Sequence, residues 1–286
     1  MPNLIFGHTG AEAVRSRFRQ FNITLPAVQM GGATVAGRIA QTGVAPLLGS
    51  SPQKVQPVQV AAALFRAASN SPADVAHQQA MHELYDSMFQ QLIAAIEHGF
   101  NLYRQSAGLV DIVINGPHAS GGRLQGPNLD KLIMTAPSVS TWSGPKVIMR
   151  DAVAKGLHQQ WSKLADSVRV PGLLWYPAFV AHPGLMAPPI PNVPTPFKAL
   201  THDPGATSPT ALKGAMRSWL HHHFNYSDES FESIALGFDS ALQVWKGVQM
   251  VTQVMGTGPV PNFAPPFSPA APVARGKVLA GSHISS

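Results

Sequence analysis

The spacing of apolar side chains along the chain predicts a mainly helical body. In four long segments, apolar residues return every three or four positions, as they do on one face of an amphipathic helix. Ser71 before Pro72, and Ser208 before Pro209, are typical helix starts, because proline lacks the amide that the first helical turn leaves unpaired. The predicted helices run from about Pro72 to Arg104, Pro145 to Val168, Pro209 to Phe224 and Asp228 to Met255.

Little β-structure is predicted beside these helices. The segment Leu109 to Ile114 is rich in Leu, Val and Ile and is followed by an Asn-Gly-Pro breaker, so it is predicted as a short strand. The glycines that follow, Gly121 and Gly122, predict a loop.

Two proline-rich segments follow the helices, and we call them the first arm, Pro171 to Pro209, and the second arm, Thr257 to Ser286. Proline removes an amide donor and fixes φ, so both arms favour extended chain over helix. Their many large apolar residues argue against disorder. We expect the arms to be ordered, with their aromatic groups anchored in a neighbouring subunit. The candidate interface residues are Trp175, Tyr176, Phe179, Leu185, Met186, Ile190, Phe197, Phe263 and Phe267.

The two arms have related surroundings. Sliding the sequence by 84 positions superposes one helix and the arm that follows it on a second helix and its arm. The match suggests the hypothesis of a degenerate repeat. The superposed pairs are Trp161 with Trp245, Val170 with Val254, Gly172 with Gly256, Pro177 with Pro261, Phe179 with Phe263 and Pro188 with Pro272.

These patterns define a fold class and a division of the chain. The predicted fold is mainly α: a helical body with long extended proline-rich arms, a Gly-rich N-terminal segment and minor β-structure. The predicted segments are a Gly/Ala-rich basic N-terminal segment (1–70), a helical core (71–170), the first arm (171–209), C-terminal helices (210–256) and the second arm (257–286).

The chain carries few charges. Hydrophobic residues make up 45% of the 286 residues, as in a globular protein, but charged residues make up only 12%, against a usual share of roughly 25%. Partner surfaces that cover much of the molecule would explain this deficit. The alternative is a monomer whose surface is formed by Ser, Thr, Gln and Pro.

Most of the positive charge falls in the N-terminal segment. The formal net charge is +6, and residues 1–73 contain six basic residues but a single acidic one. Arg15, Arg17 and Arg19 spread around their predicted helix, and no nucleic-acid-binding module accompanies them. We therefore expect an acidic protein neighbour and do not expect nucleic acid as a partner.

Secretion and membrane signals are absent from the sequence. The N-terminus lacks the basic region and apolar run of a signal peptide, and no uncharged apolar stretch approaches the roughly 20 residues of a membrane helix. There is no cysteine, so disulfides and cysteine nucleophiles are excluded. We expect no membrane span, and we expect synthesis in the cytoplasm, which is compatible with later incorporation into a particle.

No motif for catalysis or for a cofactor is recognised. His221, His222 and His223 are adjacent, and adjacent helical residues point about 100° apart, so they cannot all bind one tetrahedral metal ion within a helix. His82-Glu83 lacks the second histidine of a zinc-protease helix, and there is no nucleophile elbow or Walker loop. We predict no metal site, no cofactor and no catalytic residue.

Together these observations predict a non-enzymatic structural or assembly subunit of a larger homo- or hetero-oligomeric particle. The extended arms would bind neighbouring subunits, as in virus particles, phage tails or tail-like injection assemblies. The partners would be further copies of the chain and other assembly subunits. One alternative is a helical adaptor that binds a ligand or peptide under the arms. A less favoured one is an enzyme without a recognisable motif.

Overall fold

The computed structural model describes residues 72–220 and 228–279 of the protein. Contacts divide the chain into two units: Arg19–Gln90, and a larger unit formed by Met1–Phe18 and Gln91–Ser286. Of the smaller unit, the first half of one long helix is described. The contacts and sites below belong to the larger unit.

Four of the five described α-helices lie where the apolar spacing predicts them, although the helix from Pro209 ends at Ser218, and the short helix Leu129–Met134 is not predicted. The helix Pro209–Ser218 begins where it is predicted to begin. The Ser208 side chain caps it by accepting a hydrogen bond from the amide of Ala211 at 3.3 Å. The last helix ends at Val248, earlier than the pattern indicates. In the described residues the helices are α1 (Pro72–Ser106), α2 (Leu129–Met134), α3 (Pro145–Ser167), α4 (Pro209–Ser218) and α5 (Asp228–Val248).

The same residues contain eight strands, many more than the pattern predicts. They are β1 (Gly108–Asn115), β2 (His118–Gln125), β3 (Val170–Leu174), β4 (Met186–Ile190), β5 (Thr195–Pro196), β6 (Met250–Val251), β7 (Gly256–Pro259) and β8 (Gly276–Val278). Six of them form one antiparallel sheet in the order β3-β2-β1-β8-β7-β4, and β5 pairs with β6.

The expectation of a mainly α fold with minor β-structure is therefore wrong, and the protein has a mixed α/β fold. Only β1 follows from the sequence pattern. Except for β6, the other strands contain Gly or Pro: β4 is Met-Ala-Pro-Pro-Ile, β7 is Gly-Thr-Gly-Pro, and β2 contains Gly121 and Gly122, so the loop predicted there is wrong. Such segments have low intrinsic strand propensity, so their distant pairing partners decide that they are strands.

The main sheet has one buried and one exposed face along β1. Ile112 and Ile114 are buried, whereas Asp111 and Val113 are exposed. Because successive strand residues point to opposite faces, this alternation places a core on one side only. Helix α3 packs against β2.

A cluster of aromatic rings joins the helices. The ring centroid of Trp161 is 4.8 Å from that of Phe100, 5.4 Å from that of Tyr103 and 6.2 Å from that of Trp245. These pairs are edge-to-face, which is a favourable arrangement for aromatic rings. Phe197 of the first arm lies 4.9 Å from Trp245, so this arm contributes to the helical core.

The hypothesised repeat brings its two tryptophans, Trp161 and Trp245, together in this cluster. Each helix that carries one of them leads into the main sheet: α3 continues to β3, and α5 continues through β6 to β7. However, β3 is at the edge of the sheet and β7 is inside it. The two copies therefore do not occupy equivalent places.

The two arms pair with each other within one chain. Strand β4 of the first arm is antiparallel to β7, with Met186 opposite Pro259. Further along, His182 and Ala271 exchange two backbone hydrogen bonds, of 2.7 and 3.2 Å. Proline supplies no amide donor, so a proline-rich segment depends on donors from elsewhere to satisfy its carbonyls.

Asn192 and Tyr176 join the first arm to the segment between α5 and the second arm. The Asn192 side chain is buried; its Nδ2 donates to the carbonyl of Val251 at 3.0 Å, and its Oδ1 accepts from the amide of Val254 at 3.0 Å. The Tyr176 hydroxyl donates to the carbonyl of Val254 at 2.8 Å. The Tyr176 ring lies against Gly256, where a Cβ would come within 2.5 Å of a ring atom, so only glycine fits.

Replacing Asn192 by alanine should destabilise the protein by about 3 kcal/mol, because the buried amide of Val254 and carbonyl of Val251 would lose partners at about 1–3 kcal/mol each. Urea unfolding followed by circular dichroism measures this loss. The matched control is Asn262→Ala, since Asn262 is exposed in the second arm, and its midpoint should stay at the wild-type value. Equal midpoints for the two variants would contradict the role of Asn192.

Candidate functional site

The structure sorts the nine predicted interface residues by exposure. Four are buried in the core of their own chain: Trp175, Tyr176, Phe179 and Phe197. Ile190 and Phe263 are partly buried. Leu185, Met186 and Phe267 are exposed by 73%, 61% and 92%. Only the exposed residues are available to a partner without a change in the fold.

Leu185, Met186 and Phe267 lie in two segments that hydrogen-bond to each other. We call these two segments, residues 180–186 and 259–271, the arm lobe. The amide of Val260 donates to the carbonyl of Leu185 at 2.9 Å, and Ala271 pairs with the same segment of the first arm. The chain between Val260 and Ala271 therefore leaves beside Leu185 and returns beside His182. The lobe brings together exposed apolar side chains from both arms.

Phe267 lies in a turn that has few conformational options. The amide of Ser268 donates to the carbonyl of Ala264 at 2.8 Å and closes the turn. Pro265 and Pro266 are inside it, and proline fixes φ. Phe267 is thus presented to solvent by a backbone that is already ordered, so it would lose little entropy on binding.

The arm lobe belongs to an uncharged part of the protein. No Asp, Glu, Lys or Arg occurs between Arg169 and Lys198, or between Lys246 and Arg275. Both segments of the lobe fall within these gaps. Depletion of charge together with exposed aromatic and Met side chains is typical of the centre of a protein interface.

The strand beside the lobe is unsuited to further pairing. Strand β4 is at the edge of the main sheet, and its residues Pro188 and Pro189 have no amide to donate. Proline in an edge strand commonly prevents the addition of another strand. A partner is therefore expected to contact the side chains of the lobe instead of extending the sheet.

A groove of about 370 Å³ lies between α4 and α5, and we call it the α4–α5 groove. Its lining combines apolar groups of Pro209, Gly214 and Leu236 with an ion pair. In that pair, Lys213 Nζ lies 2.8 Å from Glu232 Oε2. The groove could receive an apolar group beside charged hydrogen-bonding groups.

A smaller polar cavity of about 140 Å³ lies between α3 and the end of β2. Burial raises the pKa of Tyr103 to about 12, so its hydroxyl remains a donor at neutral pH. Trp161 Nε1 is buried without a hydrogen-bond partner among the described residues. Ser162 Oγ and His158 Nδ1 are 3.4 Å apart on the α3 wall. The cavity could hold a small polar molecule.

Two basic groups, the partly buried His202 and the buried Lys246, lie outside the groove and the cavity. Burial lowers the pKa of His202, and the charge of Lys246 lowers it further. Lys246 is itself buried, which lowers its pKa. Such groups can serve in catalysis. Neither lines the α4–α5 groove or the polar cavity, and the His202 ring packs 6.1 Å from that of Phe197.

Several predictions fall on parts of the chain that the structure does not describe. The histidines at 221–223 and the basic N-terminal segment are among them. In the ranges 72–220 and 228–279, no group of three His, Asp or Glu side chains is placed to hold a metal ion. The described helices include none with the length and apolar character that crossing a membrane requires.

No family model, curated protein or solved structure matches this chain. Its function must therefore be argued from its own residues and their geometry.

The sequence prediction missed the α4–α5 groove and the internal pairing of the arms. The groove has no local signature, because its walls come from two helices. A signal for the pairing was available in two long gaps without charge, residues 170–197 and 247–274, which include the paired parts of both arms. Two segments that both lack charged residues can be buried against each other without leaving a charge unpaired.

Acidification should destabilise the protein through His202. An unfolded chain protonates histidine near pH 6.5, whereas burial lowers the pKa of His202 in the folded protein. The contribution to stability is thus fully present above about pH 6.5 and is lost as the pH falls through the folded pKa.

Thermal unfolding at about pH 7.5 and pH 5 measures this effect. Between these two pH values, the Tm of His202→Gln should fall by a few degrees less than the Tm of the wild type. His118→Gln, a matched change at an exposed position of β2, should not. An identical fall in the wild type and in His202→Gln would contradict the assignment.

Proposed function

We propose that this protein is a non-enzymatic structural subunit that assembles through its arm lobe. The observation that carries the proposal is the lobe itself. It is uncharged, its backbone is hydrogen-bonded, and its side chains Leu185, Met186 and Phe267 are exposed. Exposed aromatic and aliphatic groups of this kind are typical anchors in protein interfaces.

The arms would act as a preformed surface and not as free tethers. Strands β4 and β7 lie in the main sheet, and the Asn192 side chain bonds to both Val251 and Val254. Releasing the first arm would leave the carbonyl of Val251 and the amide of Val254 without Asn192, and releasing either arm would break the pairing of β4 with β7. Binding by a rigid lobe avoids the cost of ordering a free segment.

Electrostatics favours the lobe as the place where copies of this chain meet. The chain has a formal net charge of +6, so like copies repel one another at long range. A contact through the uncharged lobe brings no additional like charges together. The low charged fraction of 12% also supports a surface that is partly covered by partners.

For the particle to which such a subunit belongs, the proposal names a general class. A virus particle, a phage tail or a tail-like injection assembly would use many copies of one chain together with other subunits. The rigid lobe and the resistance of β4 to strand addition suit repeated contacts of a fixed geometry.

A small-ligand adaptor is the second candidate, and the polar cavity favours it. The cavity offers the Tyr103 hydroxyl as a donor and Ser162 and His158 as further hydrogen-bonding groups. The arms do not act as its lids, since the residues that line it come from α1, α3, β2 and the segment after β2.

Native mass spectrometry of the purified protein tests the adaptor. A retained molecule should add mass to the 30.4 kDa chain. Gly126→Val should remove that added mass, because a side chain at 126 would come within 2.6 Å of the Tyr103 ring. A bare-chain mass for the wild type would argue against this candidate.

The assembly proposal is tested by changing Leu185, Met186 and Phe267 to serine together. Wild type should sediment as species larger than the 30.4 kDa chain at micromolar concentration, and the variant as a monomer. Loss of three large apolar contacts removes the main source of binding energy. Point changes are preferable to truncation, because removing the second arm would delete β7 and β8 from the sheet.

The matched control changes Leu174, Val113 and Val248 to serine. These residues are also exposed and apolar but lie outside the lobe. The control should assemble like the wild type, with circular dichroism verifying that both variants are folded. A monomeric wild type, or a lobe variant that assembles normally, would refute the proposal.

A further inference from the structure

We propose that the polar cavity between α3 and the end of β2 binds a small neutral polyol or a single sugar residue. The inference names the ligand class of the small-ligand adaptor, the second candidate function, and rests on that candidate. It is independent of assembly through the arm lobe, because no residue that lines the cavity belongs to the lobe.

An unpaired donor in the cavity wall is the observation that points to a ligand. Trp161 is 2% exposed, and its Nε1, which can only donate, has no hydrogen-bond partner among the described residues. Trp175 and Trp245 also have a buried Nε1 without a partner there, but neither lines the cavity or the α4–α5 groove. Leaving a buried donor unpaired costs free energy, so an acceptor atom in the cavity would stabilise the site.

The Trp161 side chain lies beside the Tyr103 hydroxyl. Their ring centroids are 5.4 Å apart, with the ring planes at 89°. Burial raises the pKa of Tyr103 to about 12, and the neighbouring Trp161 side chain acts against that rise. The two groups are adjacent but are not aligned as a hydrogen-bonded pair. One ligand oxygen can therefore accept from the Trp161 N–H and also bond to the Tyr103 hydroxyl.

The rim of the cavity adds an acceptor. Arg123 and Asp166 are exposed residues of the lining. Arg123 Nη1 and Asp166 Oδ1 are 3.9 Å apart, which is longer than a hydrogen bond, so the carboxylate keeps acceptor capacity for a ligand. Arg123 is held from outside the cavity, because its Nε donates to Asp111 Oδ2 at 2.9 Å.

Charge and hydrogen-bonding capacity favour a neutral ligand with several hydroxyl groups. The carboxylates of Asp111 and Asp166 both lie within 4 Å of the Arg123 side chain, so an anion at this rim would meet two negative charges and one positive charge. A cation has no lone pair to accept from Trp161. A hydroxyl group both donates and accepts, so a polyol can accept from Trp161 and donate to Asp166 at the same time.

The size of the cavity limits the ligand. Its volume of about 140 Å³ equals the space of about five water molecules. Leu124, Ala165 and the Tyr103 ring provide buried apolar contacts for the C–H groups of a polyol. A short polyol suits this space, and a larger sugar would insert one edge between the exposed rim residues.

Saturation-transfer NMR on the full chain tests the ligand class. Erythritol and glucose should bind saturably in the millimolar range. Sodium acetate tests an anion, and dimethoxyethane tests a neutral molecule that has acceptor oxygens but no hydroxyl donor. Both should bind at least roughly 10-fold more weakly than erythritol.

Three variants test the site. Trp161→Phe removes the unpaired N–H and keeps an aromatic ring, so it should weaken erythritol binding roughly 10-fold. Trp175→Phe is the matched control, because Trp175 is also buried with an unpaired Nε1 but lies outside the cavity, and it should bind like the wild type. Asp166→Ala changes an exposed position, so folding should be unaffected, and it should weaken binding by a similar factor. Circular dichroism verifies that each variant is folded.

The outcomes separate this inference from the function on which it rests. If native mass spectrometry shows a retained molecule but erythritol binds no better than acetate, the adaptor stands and the ligand class is wrong. If Trp161→Phe and Asp166→Ala bind erythritol like Trp175→Phe, the assignment to this cavity is wrong. If the wild type has the bare-chain mass and binds none of the four probes, the cavity holds water only, and the adaptor fails together with the inference.

Discussion

A proline-rich segment has more hydrogen-bond acceptors than donors. In this protein, non-proline amides of each arm donate to carbonyls of the other arm. The protein contains 26 prolines. Strands β4 and β7 pair with each other, and the Asn192 side chain supplies a donor and an acceptor to the segment that precedes the second arm. Without this pairing, buried backbone groups of both arms would lack partners, which is more costly than any single apolar contact in the arms.

The pairing also decides which apolar groups remain outside. Tyr176 and Phe179 stack at 5.1 Å between ring centroids inside the fold, while Phe267 stays exposed on its turn. The arm lobe is therefore a product of intramolecular folding and is ready before a partner arrives. Its rigidity suits an assembly in which each contact has the same geometry.

The helices supply a second, separate contribution. The aromatic cluster around Trp161 fixes α1, α3 and α5, and Phe197 connects the first arm to it. Helices α4 and α5 leave a groove of about 370 Å³ between them, away from this cluster.

The sequence by itself determined the four long helices, the cap at Ser208 and strand β1, because each depends on neighbours within a few positions. It also located the aromatic arms. Only the tertiary structure decided that Gly- and Pro-rich segments are strands and that Trp175 is buried while Phe267 is exposed. Both outcomes depend on which distant segment supplies hydrogen bonds and covering surface, and local spacing carries no information about that choice.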